Sequence, residues 1–309
     1  MRDIVRQIGQ DELDAYASFG SDAELTERLR AHLAGAEWWF VAEERDEVVG
    51  RLVFSSIASA EARTIEFLDL DWDGDRVGIG RELVGRAVAL AGFPDETALE
   101  YILDEPHPLH RRPKERAELL EALGFVLVRE TDRWQLAGGQ APGRPPRLRF
   151  RSVEEVGEDV FVGALRDSAG GGKDRQLERR RGRLGVDAEA RDHFALLAGL
   201  APEADWLEVA FDEMDELVGV IAPAQTGSHP IIAYVGVVPE KRGHAYVDDL
   251  LARGTQRLIA AGAHVIRSDS DVLNVPMADA FRRGGYDVFA RRCEYELDAP
   301  GVRALAVSS

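Results

Sequence analysis

The sequence predicts an α/β protein of two tandem domains, each a mixed, mostly antiparallel sheet flanked by helices. Three observations carry that expectation. At 309 residues and 45% hydrophobic content, the chain is long enough for about two ordinary cores. Its halves repeat one another at nearly constant spacing: "DEVVGRLVF" (Asp46 to Phe54) matches "DELVGVIAP" (Asp215 to Pro223), "DRVGIGRELV" matches "RGHAYVDDLL" (Arg242 to Leu251), and "LLEALGFVLVRETDRWQL" matches "FRRGGYDVFARRCEYEL". Within each half, short β-rich runs alternate with stretches of helical periodicity. The segment "AGGQAPGRPPR", Ala137 to Arg147, is rich in Gly and Pro and reads as a linker. The expected division is therefore 1–138, a linker at 139–147, and 148–309.

Each half reads as helices, a hairpin, a strand, a turn, a helix, a strand, a helix and a last strand. In the second half "DWLEVAFD" and "LVGVIAP" form the hairpin, and "PIIAYVGVV" is a largely buried strand. Val247, Leu250, Leu251, Gly254 and Leu258 then share one helical face, and Gly262 suits the position just past the helix end. "HVIRSDSD" is the next strand. "PMADAFRRGG" is a helix with Pro276 in its first turn, and "DVFARRCEYEL" closes the half.

Several function classes are disfavoured. A formal charge of −18 repels nucleic acid over most of the surface. No apolar run approaches the roughly 18 residues of a membrane span, and "MRDIVRQIGQDELDAY" has no signal-like apolar stretch. One cysteine, Cys293, excludes an internal disulfide framework. A cytoplasmic protein with no membrane and no nucleic-acid partner is expected; an oligomer is allowed.

"DLDWDGDRVGIGRELV", Asp69 to Val84, resembles a calcium loop at Asp69, Asp71, Asp73 and Gly74, but its twelfth position is Gly80, which supplies no side-chain ligand. The preceding "TIEFLDLDW" alternates like a strand, with a one-residue slip that marks a β-bulge. Strand, glycine turn and helix fit better. Helix-start amides carry partial positive charge, and glycines let a phosphate approach them. "YVGVVPEKRGHAYVDDLL" repeats that order in the second half. No metal is expected: "HPLH", His107 to His110, has no third fixed ligand. "RQLERRRGRL", Arg175 to Leu184, reads as a solvated basic helix face.

"VGVVPEKRGHA" resembles the acyl-CoA signature of the GNAT N-acyltransferase superfamily, V-x-V-x-P-x-x-R-G-x-G-x-G/A. "NVPMADAFRRGGY" resembles the segment that follows in that family. The first half matches more faintly, through Gly78-Ile79-Gly80 and "LLEALGF". The resemblance implies two tandem GNAT-like domains, with acetyl-CoA or another acyl-CoA as co-substrate and a small-molecule amine as acceptor. It places the coenzyme on Gly236, Val237, Val238, Lys241, Arg242, Gly243, His244, Ala245, Tyr246, Val247 and Asn274. Glycines are usual where Ala245 and Val247 stand. Main-chain N–H groups of Val237 and Val238 would polarise the acyl carbonyl. Lys241, Arg242 and His244 would supply positive charge, whereas the first half has Asp75 at the corresponding place, so the first half is expected to be a degenerate copy.

The family's usual acid, a Tyr, falls on Phe281 in the second half and on Leu120 in the first, and neither can donate a proton. Tyr286, Tyr246 or water are the substitutes. Asp271, with Asp269 beside it, is the candidate to take the amine proton. The resemblance implies an N-acetyltransferase; the rival it leaves open is a catalytically inactive acyl-CoA-binding protein.

Overall fold

A computed structural model describes residues 4–9, 12, 38–54, 62–107, 110–138, 143, 147–227 and 229–307. The chain divides into two compact units. Unit 1 comprises Met1–Arg129 with Arg292–Ser309, and unit 2 comprises Glu130–Arg291. The linker residues 139–142 and 144–146 and the helices expected ahead of the first hairpin (13–37) lie outside the described residues.

Unit 1 contains β1 (Ile4–Gln7), β2 (Trp39–Glu44), β3 (Glu47–Phe54), β4 (Ala62–Leu70), α1 (Arg76–Ala91), β5 (Ala98–Glu105) and α2 (Pro113–Ala122). Unit 2 takes β6 (Val126–Ala137) from Glu130 onward. It continues with β7 (Arg149–Ser152), α3 (Val153–Val156), α4 (Glu158–Ala169), α5 (Arg175–Leu184), α6 (Val186–Leu200), β8 (Glu208–Phe211), β9 (Leu217–Gln225) and β10 (Pro230–Val237). It ends with α7 (Tyr246–Ala260), β11 (Val265–Asp271), α8 (Val275–Arg283) and the first part of β12 (Asp287–Leu297). The rest of β12 and α9 (Ala299–Val307) belong to unit 1.

The two units repeat one pairing scheme. In unit 1, β1/β2, β2/β3 and β3/β4 are antiparallel and β4/β5 is parallel. In unit 2, β7/β8, β8/β9 and β9/β10 are antiparallel and β10/β11 is parallel. The position beside β11 is filled by β6, and the position beside β5 by the end of β12. Unit 1 is therefore assembled from two separate segments and unit 2 from one continuous segment that starts ahead of the linker, so the division at 138 and 148 marks the repeats rather than the units. A sheet edge offers the same backbone donors and acceptors to any strand, so hydrophobic pattern alone does not tell which edge a closing strand joins.

Unit 1 packs Leu52, Leu68, Leu83, Val84, Leu99 and Leu119 into one core. In unit 2 the sheet has two buried faces. One packs Ile221, Ile232, Leu250, Leu251 and Leu258 against α7 and α8, and the other packs Phe161, Leu165, Leu197 and Val209 against α4 and α6. The strands that are buried on both faces read as continuous apolar runs for that reason. No helix among the described residues is long and apolar enough to cross a membrane.

Both fourth strands carry a bulge. In β4 the register slips between the partners of Val53 and Phe54, adding Glu66; in β10 it slips between Ile232 and Tyr234, adding Ala233. The slip visible in "TIEFLDLDW" is this feature. Beyond the bulge in β10, Gly219 of β9 lies so close that a Cβ would fall 2.1 Å from the carbonyl oxygen of Gly236. That neighbour is backbone and cannot rotate away. Gly219→Ala is expected to cost at least about 1–3 kcal/mol by urea unfolding, while Gly227→Ala, where a Cβ meets open space, should stay within about 0.5 kcal/mol.

Candidate functional site

In unit 2, β10 pairs with β11 only at Ile231 and Arg267 and then parts from it. Val238 donates its N–H to Val218 of β9 at 2.9 Å. By strand alternation the N–H of Val237 points to the opposite edge, toward the gap. Of the two amides expected to polarise a carbonyl, only that of Val237 is available; Val238 is committed to the sheet.

The chain leaves β10 through a single 3-10 turn at Pro239–Lys241. Gly243 (φ 86) and Ala245 (φ 57) are left-handed, and α7 begins at Tyr246. Ala245 is the N-cap and has no side chain to accept from the first turn. Among the described residues, none accepts from the N–H groups of Gly243, His244, Ala245, Tyr246 or Val247. Residues 242–245 are exposed. This is a run of unpaired amides at a helix start, the arrangement that binds anions.

The neighbouring cations do not face it. Arg242 gives Nε to the Val237 carbonyl at 3.0 Å, and its terminal nitrogens go to the carbonyls of Ser168 (3.0 Å), Gly170 (2.7 Å) and Gly171 (3.2 Å). It caps the C-terminal end of α4 and ties that end to the last residue of β10. Lys241 is held by Asp212 at 2.7 Å and Glu216 at 2.5 Å. The two were expected to meet phosphate; their donors are instead spent on the protein. Arg147 lies over the Tyr246 ring, bonds Asp249, and takes the carbonyls of His244 and Ala245, leaving the amides open. His244 is exposed, with its ring 5.7 Å from that of Tyr246. A cavity of about 430 Å³ opens beside the turn, between Val238, Pro239, Gly170, Arg166 and Arg181.

Unit 1 builds the same corner and closes it. Asp75 occupies the N-cap of α1, the place Ala245 has in α7, and accepts from Gly78 N–H at 3.0 Å. Arg76 and Arg81 are drawn to Glu118 and to the Ala122 carbonyl. Pairing between β4 and β5 ends at Ile65 and Tyr101. Buried Arg116 bridges the strands beyond that point, bonding the Leu68 carbonyl, the Tyr101 hydroxyl at 3.1 Å and Asp69 at 3.0 Å. Asp69 also takes Trp72 Nε1 at 2.7 Å and Arg51 at 3.3 Å, Asp71 accepts from Asp73 N–H, and Asp73 meets Arg112. The acids of the apparent calcium loop are thus spent on the protein itself.

Comparison with solved structures locates this architecture. No protein-family model matches the sequence, and no curated protein matches it significantly. A GCN5-related N-acetyltransferase from Sphaerobacter thermophilus superposes with a TM-score of 0.62 at 16% identity, covering 96% of each chain. A tandem GNAT protein from the clavulanic acid biosynthesis pathway gives 0.53 at 19% identity, covering 96% of this chain and 98% of its own. A GCN5-related glucosamine N-acetyltransferase region of a fungal multi-domain β-N-acetylglucosaminidase gives 0.58 at 15% identity, covering 95% of this chain and 38% of that one. The chain has a tandem GNAT fold.

Within that GNAT fold the expected chemical residues fare differently. Asp271 is fully buried and its two oxygens meet Arg175 Nε (2.8 Å), Nη2 (3.2 Å) and N–H (3.3 Å) and the Leu273 N–H (2.9 Å). Burial pushes its pKa up, but these donors outweigh burial and hold it below the usual carboxylate value. It anchors the start of α5 and has no lone pair to spare for an amine proton. Tyr286 is buried against Phe281, bonded to Thr255 Oγ1 at 2.7 Å, and burial raises its pKa well beyond that of a free phenol; it is a packing residue. Phe281 stacks on Trp134 in the core. Asp269 is paired with Arg133. A hydroxyl and a carboxylate near the right elements look alike in sequence whether free or saturated.

Asn274 is the N-cap of α8, and its side chain makes no cap bond. His110 Nδ1 accepts from the Asp104 N–H at 2.8 Å, and burial, then the adjoining His107 and Arg116, lowers its pKa to about 4. Cys293 packs against the unit 1 core. Among the described residues no group of three His, Cys, Asp or Glu could hold a metal ion.

Two outcomes follow from these buried groups. Arg116→Met should destabilise unit 1 by about 3 kcal/mol in chemical unfolding, because Asp69 and the Leu68 carbonyl lose their buried partner. His193 of α6 is neutral at pH 7: burial, then Arg180, lowers its pKa to about 4 from 6.5. The unfolded chain therefore binds that proton more readily. Stability present above pH 6.5 should fall between pH 6.5 and 4, by on the order of 2–3 kcal/mol for this group. His193→Gln should flatten the difference between unfolding midpoints at pH 7 and pH 4.5.

Proposed function

We propose that unit 2 binds an acyl-CoA, acetyl-CoA in the first instance, and transfers its acyl group to a small-molecule amine. The observation that carries this reading is the run of unpaired amides from Gly243 to Val247, beside the gap where β10 leaves β11. A diphosphate on those amides directs the pantetheine arm into the gap, where the Val237 N–H can meet the thioester carbonyl. Asn274, the N-cap of α8, makes no cap bond with its side chain. The GNAT fold of the described neighbours supports the same chemistry. In unit 1 Asp75 takes the place of the diphosphate and Arg116 that of the arm, so the first copy serves as scaffold.

An amine acceptor suits the acidic chain; the cavity of about 430 Å³ beside the turn is lined by Arg166, Arg181 and Lys241 as well as by Asp167 and Glu240. The glucosamine N-acetyltransferase neighbour makes an amino sugar a sensible first acceptor to try. A second reading, an acyl-CoA-binding protein without catalysis, is favoured by one specific fact: Phe281 and Leu120 stand where the family's usual acid would be.

The decisive variant is Ala245→Asp, which puts a carboxylate at the N-cap of α7 as Asp75 does at α1. Position 245 is left-handed (φ 57), where Asp is tolerated better than Ala, so unfolding stability should not fall. It should also weaken acetyl-CoA binding at least about tenfold, roughly 1.4 kcal/mol, in calorimetry. Equal affinity in wild type and variant sinks the assignment of the corner. Thiol release over a hydrolysis blank, with glucosamine and other primary amines, then separates enzyme from binder.

A further inference from the structure

The segment between α4 and α5 is fastened at both lips of the gap that opens in unit 2. Along a strand the N–H and C=O of one residue point the same way, so the Val237 carbonyl faces the gap as its N–H does. Arg242 Nε takes that carbonyl at 3.0 Å, and the same guanidinium holds the carbonyls of Gly170 at 2.7 Å and Gly171 at 3.2 Å. On the other lip Arg175 gives its N–H (3.3 Å) and Nε (2.8 Å) to Asp271, the last residue of β11, and Nη2 to the Glu130 carbonyl at 3.3 Å. From Gly171 to Arg175 the chain thus passes from the end of β10 to the end of β11. A stretch of that length reaches at most about 14 Å, so no part of it strays more than about 7 Å from one anchor.

The crossing is made on the face of α4 and α6. Ile266 of β11 packs in the layer of α7 and α8, and Ser270 accepts from Trp134 in that same layer. By alternation Asp271 turns to the opposite side. An arm that starts from the amides of α7 and passes through the gap therefore brings its acyl end up beneath residues 171–175. Charge and hydrogen bonds, not apolar packing, fasten this strap, since α5 beyond it buries none of its ten residues. Asp271 is fully enclosed at its anchor, with a side chain 0% exposed. Gly171 is left-handed (φ 58), a conformation that favours glycine. From Gly170 to Gly172 the strap is bare backbone, which has no side chain to swing aside.

We infer that residues 171–175 roof the gap on this face and restrict the thioester to short acyl groups. Arg175 and Asp271 are the positioning pair that holds the roof down at β11, as Arg242 holds it at β10. This rests on the acyl-CoA reading above. The N–H that would meet the thioester carbonyl and the carbonyl that anchors the strap both belong to Val237. A short acyl group fits between them and the roof, whereas a longer chain runs into backbone. The saturated carboxylate of Asp271 thereby has a task in the site without exchanging a proton.

Calorimetry with acetyl-CoA and hexanoyl-CoA tests the roof without needing the acceptor. Added methylenes strengthen binding wherever they find apolar room, so an open gap would favour the hexanoyl thioester. The expected result for the wild-type chain is the reverse, with hexanoyl-CoA at least about tenfold weaker than acetyl-CoA. Equal or tighter hexanoyl binding overturns the inference and leaves acyl-CoA binding intact. Failure of both to bind overturns the parent reading, and the roof with it. The double variant Arg175→Met/Asp271→Asn unfastens the strap at β11 without leaving a buried charge alone. It should keep acetyl-CoA affinity within about threefold and narrow the preference for acetyl to about threefold or less. An unchanged preference in the folded double variant overturns the inference. Should that variant fail to fold, a crystal structure of the wild-type chain with acetyl-CoA decides. The acyl methyl is expected within about 4.5 Å of the backbone of residues 171–175, and a separation beyond about 8 Å overturns the inference.

Discussion

A helix start has peptide N–H groups with no acceptor inside the helix, and something outside must meet them. How that demand is met separates the two copies in this chain. At the first, Asp75 turns its own carboxylate onto Gly78 N–H. At the second, Ala245 has nothing to turn, and five successive amides, Gly243 to Val247, find no acceptor among the described residues. The strand and bulge that lead to each corner are alike, but the turns differ: Gly243 and Ala245 are left-handed in the second, whereas Asp75 caps the first at φ −77, so the contrast rests on the turn as well as on the capping side chain.

Two arginines show a parallel contrast. Arg116 enters the space where β4 and β5 part and satisfies the Leu68 carbonyl and the Tyr101 hydroxyl itself. Between β10 and β11 the bridge is a small hydroxyl rather than a guanidinium: Ser268 Oγ of β11 donates to the Ile232 carbonyl of β10 at 2.9 Å. Arg242, which looked like a phosphate ligand, instead binds four carbonyls and fixes the end of β10 to the end of α4. Its positive charge still contributes to the local field, but its geometric work is to hold the corner open. A guanidinium with several planar donors suits a clamp of this kind better than an ammonium would.

The repeat, the order of elements, the bulge in the first half's fourth strand and the corner at Gly243 to Val247 were all legible in the residues. Each is governed by local rules: periodicity for elements, a one-residue slip for a bulge, glycine and proline for turns. The chemical groups were less legible. Asp271 and Tyr286 have the right functional groups but are saturated by Arg175 and Thr255, partners far away in the chain. Tyr234 lies inside an apolar strand, and only the register slip at Ala233 sends it to the other face.

By itself, then, the sequence determined which elements form and where the chain must turn, since backbone preference and apolar period act over a few residues. It also determined that the first corner carries a carboxylate and the second does not. Tertiary structure alone decided which sheet edge each closing strand joins, which charges are spent on partners and which side chains stay available, because those outcomes depend on neighbours brought together from distant parts of the chain. Availability, rather than residue type, is what turns a side chain into chemistry, and it exists only once the chain has folded.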